Sequence, residues 1–481
     1  MHDLMVLGDD ISSYVAAAVG IKVGLKTIHI TDNSLKSLSR NDIFFIAGTT
    51  PITGFGDGEI ANYLLKELNI ELEDILSPLK LAYQVILPEH RVDFFSSKKD
   101  MLNDLVREFP QKKKEIFSFY NETEKTSQFF KNWFNDYPFF QVNNFKQYFN
   151  YVGLIINLIK FKSKNNKFRR ILFTEPSLRK TFEAQLAFLS PNIDAFQLLS
   201  SAYLLSTPQR GIYHSFKIEA GVMEALLDFF KKAGGKYSDN YKLLSIRKTK
   251  YIEAEVIDGE GVISRIPAKS LIISNKSNGM NLFYKKRGNI NTNRWLKRIK
   301  VTHYPLLLHF ILKRECLPEK ISQYALVIND IDKDIYDDNL IILGISSLNR
   351  SQLTSQEKVL LTATVFLPAD HESWKRENLL FVANSVVNKL ADYFPFFNKG
   401  IEFFDPHKSI DFSIKYRSII NPKYKMKKSW FSGFSVQNNR TPLKNVYICG
   451  SFLFSDLSCW EGEIISGMYA VYHLLKERKK Q

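Results

Sequence analysis

The fold is decided by the segment VLGDDISSYVAAAVGIKVGLKTIHITD, which runs from Val6 to Asp32. It begins within Leu4–Gly8, a short apolar run that is typical of a strand buried in a parallel sheet. A helix rich in Ala and Val is predicted over Ile11–Val23, and Gly24 suits its C-terminal cap. A second strand follows at Lys26–Thr31. Because a strand, a helix and a strand in this order form a crossover connection, the segment predicts a parallel sheet and an α/β fold.

The composition indicates a large folded protein with an excess of basic residues. The chain has 481 residues, of which 45% are hydrophobic, and this suffices for two or three domains. Lys and Arg together number 66 against 50 Asp and Glu, which gives a formal charge of +16. The excess is compatible with phosphate-rich partners or anionic membranes, and also with a solvated lysine-rich surface. Phe is abundant, at 38 residues, which indicates a bulky apolar core or an apolar ligand.

Metal, disulfide and nucleic-acid sites are not expected. The three cysteines, Cys316, Cys449 and Cys459, form no CxxC pair. The nine histidines are dispersed, and His303 and His309 have no carboxylates at metal-ligand spacing. No P-loop, GxSxG elbow or nucleic-acid-binding motif is present. We therefore predict no metal and no nucleic-acid partner.

The location predicted from the sequence is cytoplasmic. The N-terminus MHDLMVLGDD carries acidic residues where a signal peptide needs basic ones. No stretch of about 18 uncharged apolar residues is present, so no transmembrane span is expected. Few cysteines also suit a reducing compartment.

The remaining elements indicate that the first domain is discontinuous. Gly58–Ile70 is an amphipathic helix, Lys99–Leu204 is mostly helical, and Ile218–Ser274 reads as a helix followed by alternating strands. The chain closes with a strand, a loop and a helix that ends in basic residues. We predict a dinucleotide-binding-like domain made of residues 1–75, 205–295 and 415–481, with a substrate or lid domain made of residues 76–204 and 296–414.

Two segments combine apolar and basic residues in a way that suits an anionic membrane surface. In Tyr148–Arg170 a compact apolar face is followed by four Lys and two Arg residues. Asn421–Phe434 mixes lysines with aromatic residues. A core helix with a solvated basic loop, and a lysine-rich surface loop, are the alternative interpretations of these two segments.

Four stretches in this order resemble the phytoene desaturase and carotenoid isomerase branch of the FAD-dependent oxidoreductases. They are the opening crossover unit, GTTPITGFGDGEIANYLLKELNI with YQVILPEHRVDFF after it, RGIYHSFKIEAGVMEALLDFFKKAGGKY, and NVYICGSFLFSDLSCWEGEIISGMYA. The resemblance covers most of the chain. It implies an FAD/NAD(P)-binding Rossmann-like domain with an inserted α+β substrate domain. It also implies FAD as cofactor and a deep apolar channel for a polyene or isoprenoid.

The first polar anchor of the family's flavin site is altered in this chain. A GxGxxG motif normally lets the backbone approach the diphosphate at a helix N-terminus. The matching positions are Gly8, Asp10 and Ser13, so only the first glycine is retained. Asp10 places a carboxylate where the diphosphate is expected. The alternative role for Asp9 or Asp10 is an ordinary helix N-cap.

The other anchors that the resemblance implies are altered as well. Thr31 stands where an acidic residue holds the adenosine ribose, and Asp32 follows it on the opposite face of the strand. The loop after it, which lies along the flavin in the family, is much shorter. Near the C-terminus the expected glycine–aspartate pair is Gly450-Ser451. The remaining candidate positions of this degenerate site are Leu243, Glu461, Gly462 and Glu463.

Loss of every polar anchor predicts that FAD binds weakly or not at all. The leading hypothesis is a catalytically altered relative that binds an apolar polyene, isoprenoid or acyl ligand, or that supports a partner enzyme. An active FAD-dependent desaturase or isomerase on a hydrophobic substrate is the second hypothesis. A peripheral membrane protein that handles lipid is the third.

Overall fold

A computed structural model of the chain describes the residues in fourteen stretches. These are residues 1–31, 39–40, 43–44, 49–71, 75–136, 175–192, 198–215, 220–239, 241–248, 250–277, 300–347, 358–425, 439–454 and 457–478.

The strands of these stretches are numbered in chain order. They are β1 (His2–Leu7), β2 (Thr27–Ile30), β3 (Ser39–Arg40), β4 (Ile43–Phe44), β5 (Ile52–Thr53), β6 (Leu76–Pro78), β7 (Leu81–Ile86), β8 (Arg91–Phe95), β9 (Ile212–Ser215), β10 (Lys236–Ser238), β11 (Lys242–Lys248), β12 (Ile252–Ile257), β13 (Ile263–Ser274), β14 (Lys300–Lys313), β15 (Tyr324–Ile328), β16 (Leu340–Ser347), β17 (Lys358–Pro368), β18 (Ile401–Phe404), β19 (Lys423–Lys425) and β20 (Val446–Cys449).

The α-helices are numbered in the same way. They are α1 (Ile11–Lys22), α2 (Ile60–Glu67), α3 (Lys98–Glu108), α4 (Lys113–Asp136), α5 (Pro176–Leu189), α6 (Leu198–Leu205), α7 (Thr207–Arg210), α8 (Ala220–Lys232), α9 (Arg376–Tyr393), α10 (Phe397–Gly400), α11 (Pro406–Tyr416) and α12 (Cys459–Arg478). Within the described part of the chain, no helix combines the length and apolarity needed to cross a membrane.

The opening segment forms the predicted crossover unit. β1 pairs in parallel with β2, and α1 connects them. The helix ends one residue before the predicted end, and Gly24 follows it in the left-handed region at φ +82°. Leu4, Met5 and Val6 are fully buried, which explains why β1 is apolar from Leu4 onward.

The first sheet has a parallel core in the order β10-β2-β1-β13-β20. β13 is long enough to serve two purposes. Its second half pairs with β1 and β20, whereas its first half pairs antiparallel with β12, which in turn pairs with β11. The carboxyl ends of β1, β13 and β20 therefore lie side by side.

The second sheet is largely antiparallel and has the order β18-β14-β17-β16-β15-β7-β8, with β19 paired to β14. Side chains of β16 alternate between its faces, as the strand pleat requires. Leu340 and Ile342 join a core cluster with α3, α4 and α5, whereas Ile341 and Leu343 join one with α9 and α11. The predicted class, a Rossmann-like domain with an inserted α+β domain, is confirmed.

Candidate functional site

The ends of the three central parallel strands meet in a tightly packed crevice. Gly8 follows β1 with φ +148°, and a Cβ added there would lie 2.5 Å from the Cβ of Ser274. Gly450 follows β20 with φ +139°, and an added Cβ would collide with Oδ1 of Asn275. Both positions need glycine for conformation and for space. Open α/β sheets place their ligands at this edge.

A carboxylate occupies the start of α1 in this crevice. Asp10 is only 4% exposed, and its Oδ2 accepts a hydrogen bond of 2.7 Å from Oγ of Ser12. Its Oδ1 has no hydrogen-bond partner among the described residues. A Cβ built on Gly8 would lie 3.3 Å from that oxygen, so the carboxylate covers the glycine. Ser13 turns back, and its Oγ donates to the carbonyl of Asp10 at 2.7 Å.

The capping role expected for Asp10 is only partly correct. Asp10 does stand at the N-cap position with an extended backbone, φ −112° and ψ 164°. Its carboxylate nevertheless makes no hydrogen bond to an amide of the helix. A buried carboxylate therefore lies at the positive end of the helix dipole, which is a favourable position, but it does not form the usual N-cap hydrogen bond.

A buried ion pair lies beside Asp10 and was not predicted from the sequence. Lys276, two residues after β13, places its Nζ 2.5 Å from Oε1 of Glu463 on α12. Burial and the charge of Asp10 raise the pKa of Glu463 to about 7, although Lys276 opposes the rise. Burial lowers the pKa of Lys276, but Glu463 and Asp10 outweigh this effect and raise it. Lys276 thus contacts Glu463 directly and is influenced by the charge of Asp10 without a direct contact.

The other predicted positions are dispersed around this edge. Thr31 is buried, its amide donates to the carbonyl of Ser238, and its hydroxyl lies 3.3 Å from that of Tyr237. Leu243 lies in β11 and packs in the core of the first sheet. Asp32 lies outside the described residues.

The predicted positions near the C-terminus come together where α12 begins. Ser451 is buried in a short 3-10 helix directly after Gly450. A Cβ on Gly462 would lie 3.1 Å from the carbonyl oxygen of Phe454 and 3.5 Å from that of Ser451. Gly462 therefore allows the 3-10 helix to pack against the first turn of α12.

A second charged cluster joins Glu461 on α12 to Glu59, which precedes α2, and to Arg210 at the end of α7. Nη1 of Arg210 donates to Glu59 Oε2 at 2.8 Å and to Glu461 Oε1 at 2.7 Å. All three side chains are nearly buried, with exposures of 11%, 5% and 1%. Burial lowers the pKa of Arg210, but the charges of Glu461, Tyr203 and Glu59 raise it above its ordinary value. The sequence analysis named Glu461 but missed Arg210 and Glu59.

Additional hydrogen bonds fix both carboxylates of this cluster. Glu461 accepts from Oγ of Ser458 at 2.7 Å and from the Tyr203 hydroxyl at 3.2 Å. Glu59 accepts from Nζ of Lys131 on α4 at 2.8 Å. Burial raises the pKa of Glu461, but Arg210 outweighs this effect and holds it below its ordinary value. Glu461 is therefore held ionised by its partners.

A small apolar cavity lies between the inserted sheet and α5. Its volume is about 30 Å³, and its apolar lining includes Phe188, Pro305, Ile342 and Phe366. Cys459, at the start of α12, also lines it. A cavity needs at least about 10–15 Å³ on this measure to hold one water, so this cavity has room for about two waters.

Metal and disulfide chemistry receive no support from the described part of the chain. No group of three or more His, Cys, Asp or Glu side chains there is arranged to hold a metal ion. Cys316, Cys449 and Cys459 are buried free thiols.

The fold matches solved oxidoreductase structures over nearly the whole chain. No protein-family model and no curated protein matches the sequence. An oxidoreductase from Methanosarcina mazei superposes with a TM-score of 0.59 at 12% identity, covering 98% of this chain and 100% of that one. Putrescine oxidase bound to putrescine gives 0.56 at 11% identity, and cyclohexylamine oxidase from Brevibacterium oxydans IH-35A gives 0.52 at 12%; both cover 99% of each chain. Identities this low show a shared fold.

Proposed function

We propose that this protein is a catalytically altered relative of the flavin-dependent oxidoreductases in which FAD binding is weak or lost. The observation that carries the proposal is the buried carboxylate of Asp10 against Gly8. A diphosphate at the start of α1 would have to approach this carboxylate. Two unit charges about 4 Å apart repel by about 4 kcal/mol at a surface-like dielectric. A penalty of that size weakens binding roughly a thousandfold.

The Lys276–Glu463 pair supports the same conclusion. Lys276 is the buried cation of the crevice that an anionic ligand would need, and Glu463 already holds it at 2.5 Å. With both Asp10 and Glu463 ionised, these three groups carry a net charge of −1 before any ligand arrives; with Glu463 protonated the net charge is zero, and no positive charge is left for a ligand in either case. A diphosphate would have to compete with one carboxylate for the ammonium and accept repulsion from both. The residues at this position therefore do not fit the diphosphate of FAD.

We further propose that the protein binds an apolar polyene, isoprenoid or acyl ligand, as the phytoene desaturase and carotenoid isomerase resemblance implies, or supports a partner enzyme. In this proposal such a chain would enter at the apolar cavity beside the inserted sheet. Its volume of about 30 Å³ means that binding requires the walls to separate. The segment Tyr148–Arg170, proposed here to contact an anionic membrane, lies outside the described residues, as does most of Asn421–Phe434. A lipid-handling role at a membrane remains the third proposal.

An active FAD-dependent desaturase or isomerase is the second candidate function, because the backbone framework of the site is retained. Gly8 and Gly450 keep positive φ angles at the two strand ends, and Gly462 keeps close packing at the start of α12. In that case Asp10 would have to be protonated or move away from Gly8.

The test is whether the purified protein carries or binds FAD. We expect no flavin absorbance after purification and no rise in melting temperature with added FAD. A ligand at 100 times its Kd would stabilise the fold by about 2.7 kcal/mol, so binding would be evident. A yellow protein with one flavin per chain would refute the proposal and favour the active enzyme.

A matched variant separates the effect of Asp10 from that of the other anchors. Asp10→Gly combined with Ser13→Gly should recover part of the FAD affinity, because it removes the repulsion and leaves Thr31 and Ser451 unchanged. Asp9→Gly is the control, since Asp9 also precedes α1 but is not the residue that covers Gly8. Equal FAD binding by the two variants would contradict the role given to Asp10.

A further inference from the structure

A cluster of exposed lysines lies at the edge of the first sheet opposite the crevice. There the C-terminal ends of α1 and α8 meet the amino ends of β2 and β10, which follow them. The two helices pack side by side and the two strands are paired, with Lys236 opposite Ile28, so the two connecting loops are neighbours. We call this cluster the amino-edge surface; it consists of the exposed residues Lys22, Lys26, Lys231, Lys232 and Lys236.

The two loops supply no negative charge to balance these lysines. Residues 19–27 and 229–238 contain no Asp or Glu. Within the described part of the chain, none of the five lysines forms an ion pair, although Lys231 lies over the ring of Tyr237 at 4.9 Å. Asp228 is exposed on α8, one turn before Lys231. Counting its carboxylate against the five lysines leaves a net charge of +4.

The carboxylate of Asp3 in β1 does not neutralise the amino-edge surface. It accepts a hydrogen bond of 3.2 Å from the backbone amide of Lys26, so it lies beside the cluster. It is already paired with Lys269 at 2.8 Å, and it also lies 4.0 Å from Arg478 near the end of α12. These two cations therefore add to the positive charge of this edge.

Helix dipoles account for only part of the arrangement. Basic residues are favourable in the last turn of a helix, and three of the five lysines occupy the last turns of α1 and α8. Lys26 and Lys236 lie beyond their helices, where the strands begin. Burial lowers the pKa of the nearby His2, and Lys26 and Lys236 are among the positive charges that lower it further. The positive charge thus extends from the helix ends across the strand starts.

An exposed apolar side chain lies among the lysines. Val23, directly after α1, is 43% exposed. A Cβ added to Gly24 or Gly234 would meet no atom of the described residues within 4 Å, so the protein does not cover these loop tips. Long lysine side chains around a small apolar tip suit the headgroup layer of an anionic bilayer. Proteins that bind single-stranded nucleic acids add stacking aromatic side chains, and duplex recognition favours arginine, whereas all five cations here are lysines.

We propose that the amino-edge surface docks this protein on an anionic lipid bilayer. The five lysines contact the headgroups, and Val23 lies at the boundary between headgroups and acyl chains. The inference rests on the third proposal above, a role at a membrane, and names a contact surface for it among the described residues. It does not depend on whether the protein binds FAD, because no residue of the crevice takes part.

Co-sedimentation of the full-length protein with lipid vesicles tests this proposal. We expect binding to vesicles of phosphatidylcholine mixed with phosphatidylserine, and none to phosphatidylcholine alone. Binding should fall as salt is added, because salt screens exposed charges. Failure to bind the anionic vesicles would refute both the surface and the membrane role. Tighter binding to a random-sequence DNA duplex at the same salt concentration would assign the surface to nucleic acid and overturn the lipid assignment.

Two triple variants with the same change in charge show whether this surface is responsible. The test variant combines Lys26→Gln, Lys232→Gln and Lys236→Gln. The control variant combines Lys99→Gln, Lys399→Gln and Lys408→Gln, at exposed positions around the second sheet. Each basic residue near a bilayer contributes separately, so the test variant should bind anionic vesicles at least about tenfold more weakly. The control should bind nearly as the wild type does.

Circular dichroism should show both variants folded, since all six side chains are exposed. Equal vesicle binding by the two variants would refute the amino-edge surface. In that case the membrane role would stand, with its contact elsewhere in the chain.

Discussion

Replacing Arg210 with Leu should destabilise the protein far more than loss of an ordinary surface ion pair. The substitution leaves Glu59 and Glu461 without the guanidinium that contacts them at 2.8 and 2.7 Å. Lys131 still neutralises Glu59, at 2.8 Å. Glu461 is 1% exposed, and among the described residues its carboxylate keeps only two neutral partners, the hydroxyls of Ser458 and Tyr203. Breaking a buried pair in this way costs about 3–5 kcal/mol.

The assay is reversible urea denaturation followed by circular dichroism, with Arg265→Leu as the control. Arg265 also pairs with a glutamate, Glu255, at 3.4 Å, but it is 65% exposed. Exposed pairs contribute about 0–1 kcal/mol, so the control should unfold at nearly the wild-type midpoint. A loss below about 1 kcal/mol in Arg210→Leu would refute the claim that the cluster stabilises the fold by pairing buried charges.

The Arg210 effect should also depend on pH. The pKa of Glu461 is held below its ordinary value of 4.5 in the folded protein. Its contribution is therefore present above pH 4.5 and is lost as the pH falls through its folded pKa. The stability difference between wild type and Arg210→Leu should narrow in acid. A difference that stays constant down to the acid unfolding transition would contradict this assignment.

Two further substitutions test the packing and the charge of the strand-end crevice. Gly467→Ala should cost about 1–3 kcal/mol in urea unfolding, because the new Cβ would collide with the carbonyl oxygen of Ser12 where α12 crosses α1; Gly259→Ala, which has open space, is the control. Since burial raises the pKa of Glu463 from 4.5 to about 7, its own contribution to stability should fall as pH rises across that window, by up to roughly 3 kcal/mol. Buried His29 and His473, whose pKa values are lowered to about 4, act in the opposite direction but equally in wild type and variant, so the contribution is read from the difference between the two proteins. Glu463→Gln should remove this component, and identical pH profiles for variant and wild type would contradict it.

The crossover unit was predictable because its signals are local. The apolar run of β1, the Ala-rich helix and Gly24 lie within one short segment, and each follows from strand or helix geometry alone. Gly8 and Gly450 were identified through the family resemblance, and the structure shows that both are needed for close backbone packing. The inserted α+β domain was also predicted from the resemblance, whereas the parallel sheet followed from the crossover unit.

The charged clusters were not predictable because their members are distant in sequence. Arg210 lies 151 residues from Glu59 and 251 from Glu461. Lys276 lies 187 residues from Glu463. A single sequence shows that Lys276 follows a buried strand, but which carboxylate it meets depends on how the last helix crosses the sheet. The carboxylate of Asp10 was placed correctly at the helix start, but its lack of a capping bond required coordinates.

Under the proposed loss of FAD binding, the internal charges of the crevice would explain how the fold persists without a dinucleotide. A helix N-terminus buried in a crevice needs negative charge or hydrogen-bond acceptors nearby, and a bound phosphate usually supplies them. Here Asp10 supplies a carboxylate from the chain itself, and Lys276 provides the positive charge that opposes both Asp10 and Glu463. Close packing at the strand ends depends on Gly8, Gly450 and Gly467, where an added Cβ would collide with protein atoms. The steric requirements of the fold and the polar requirements of a cofactor therefore rest on different residues, so the polar residues can change while the fold is kept.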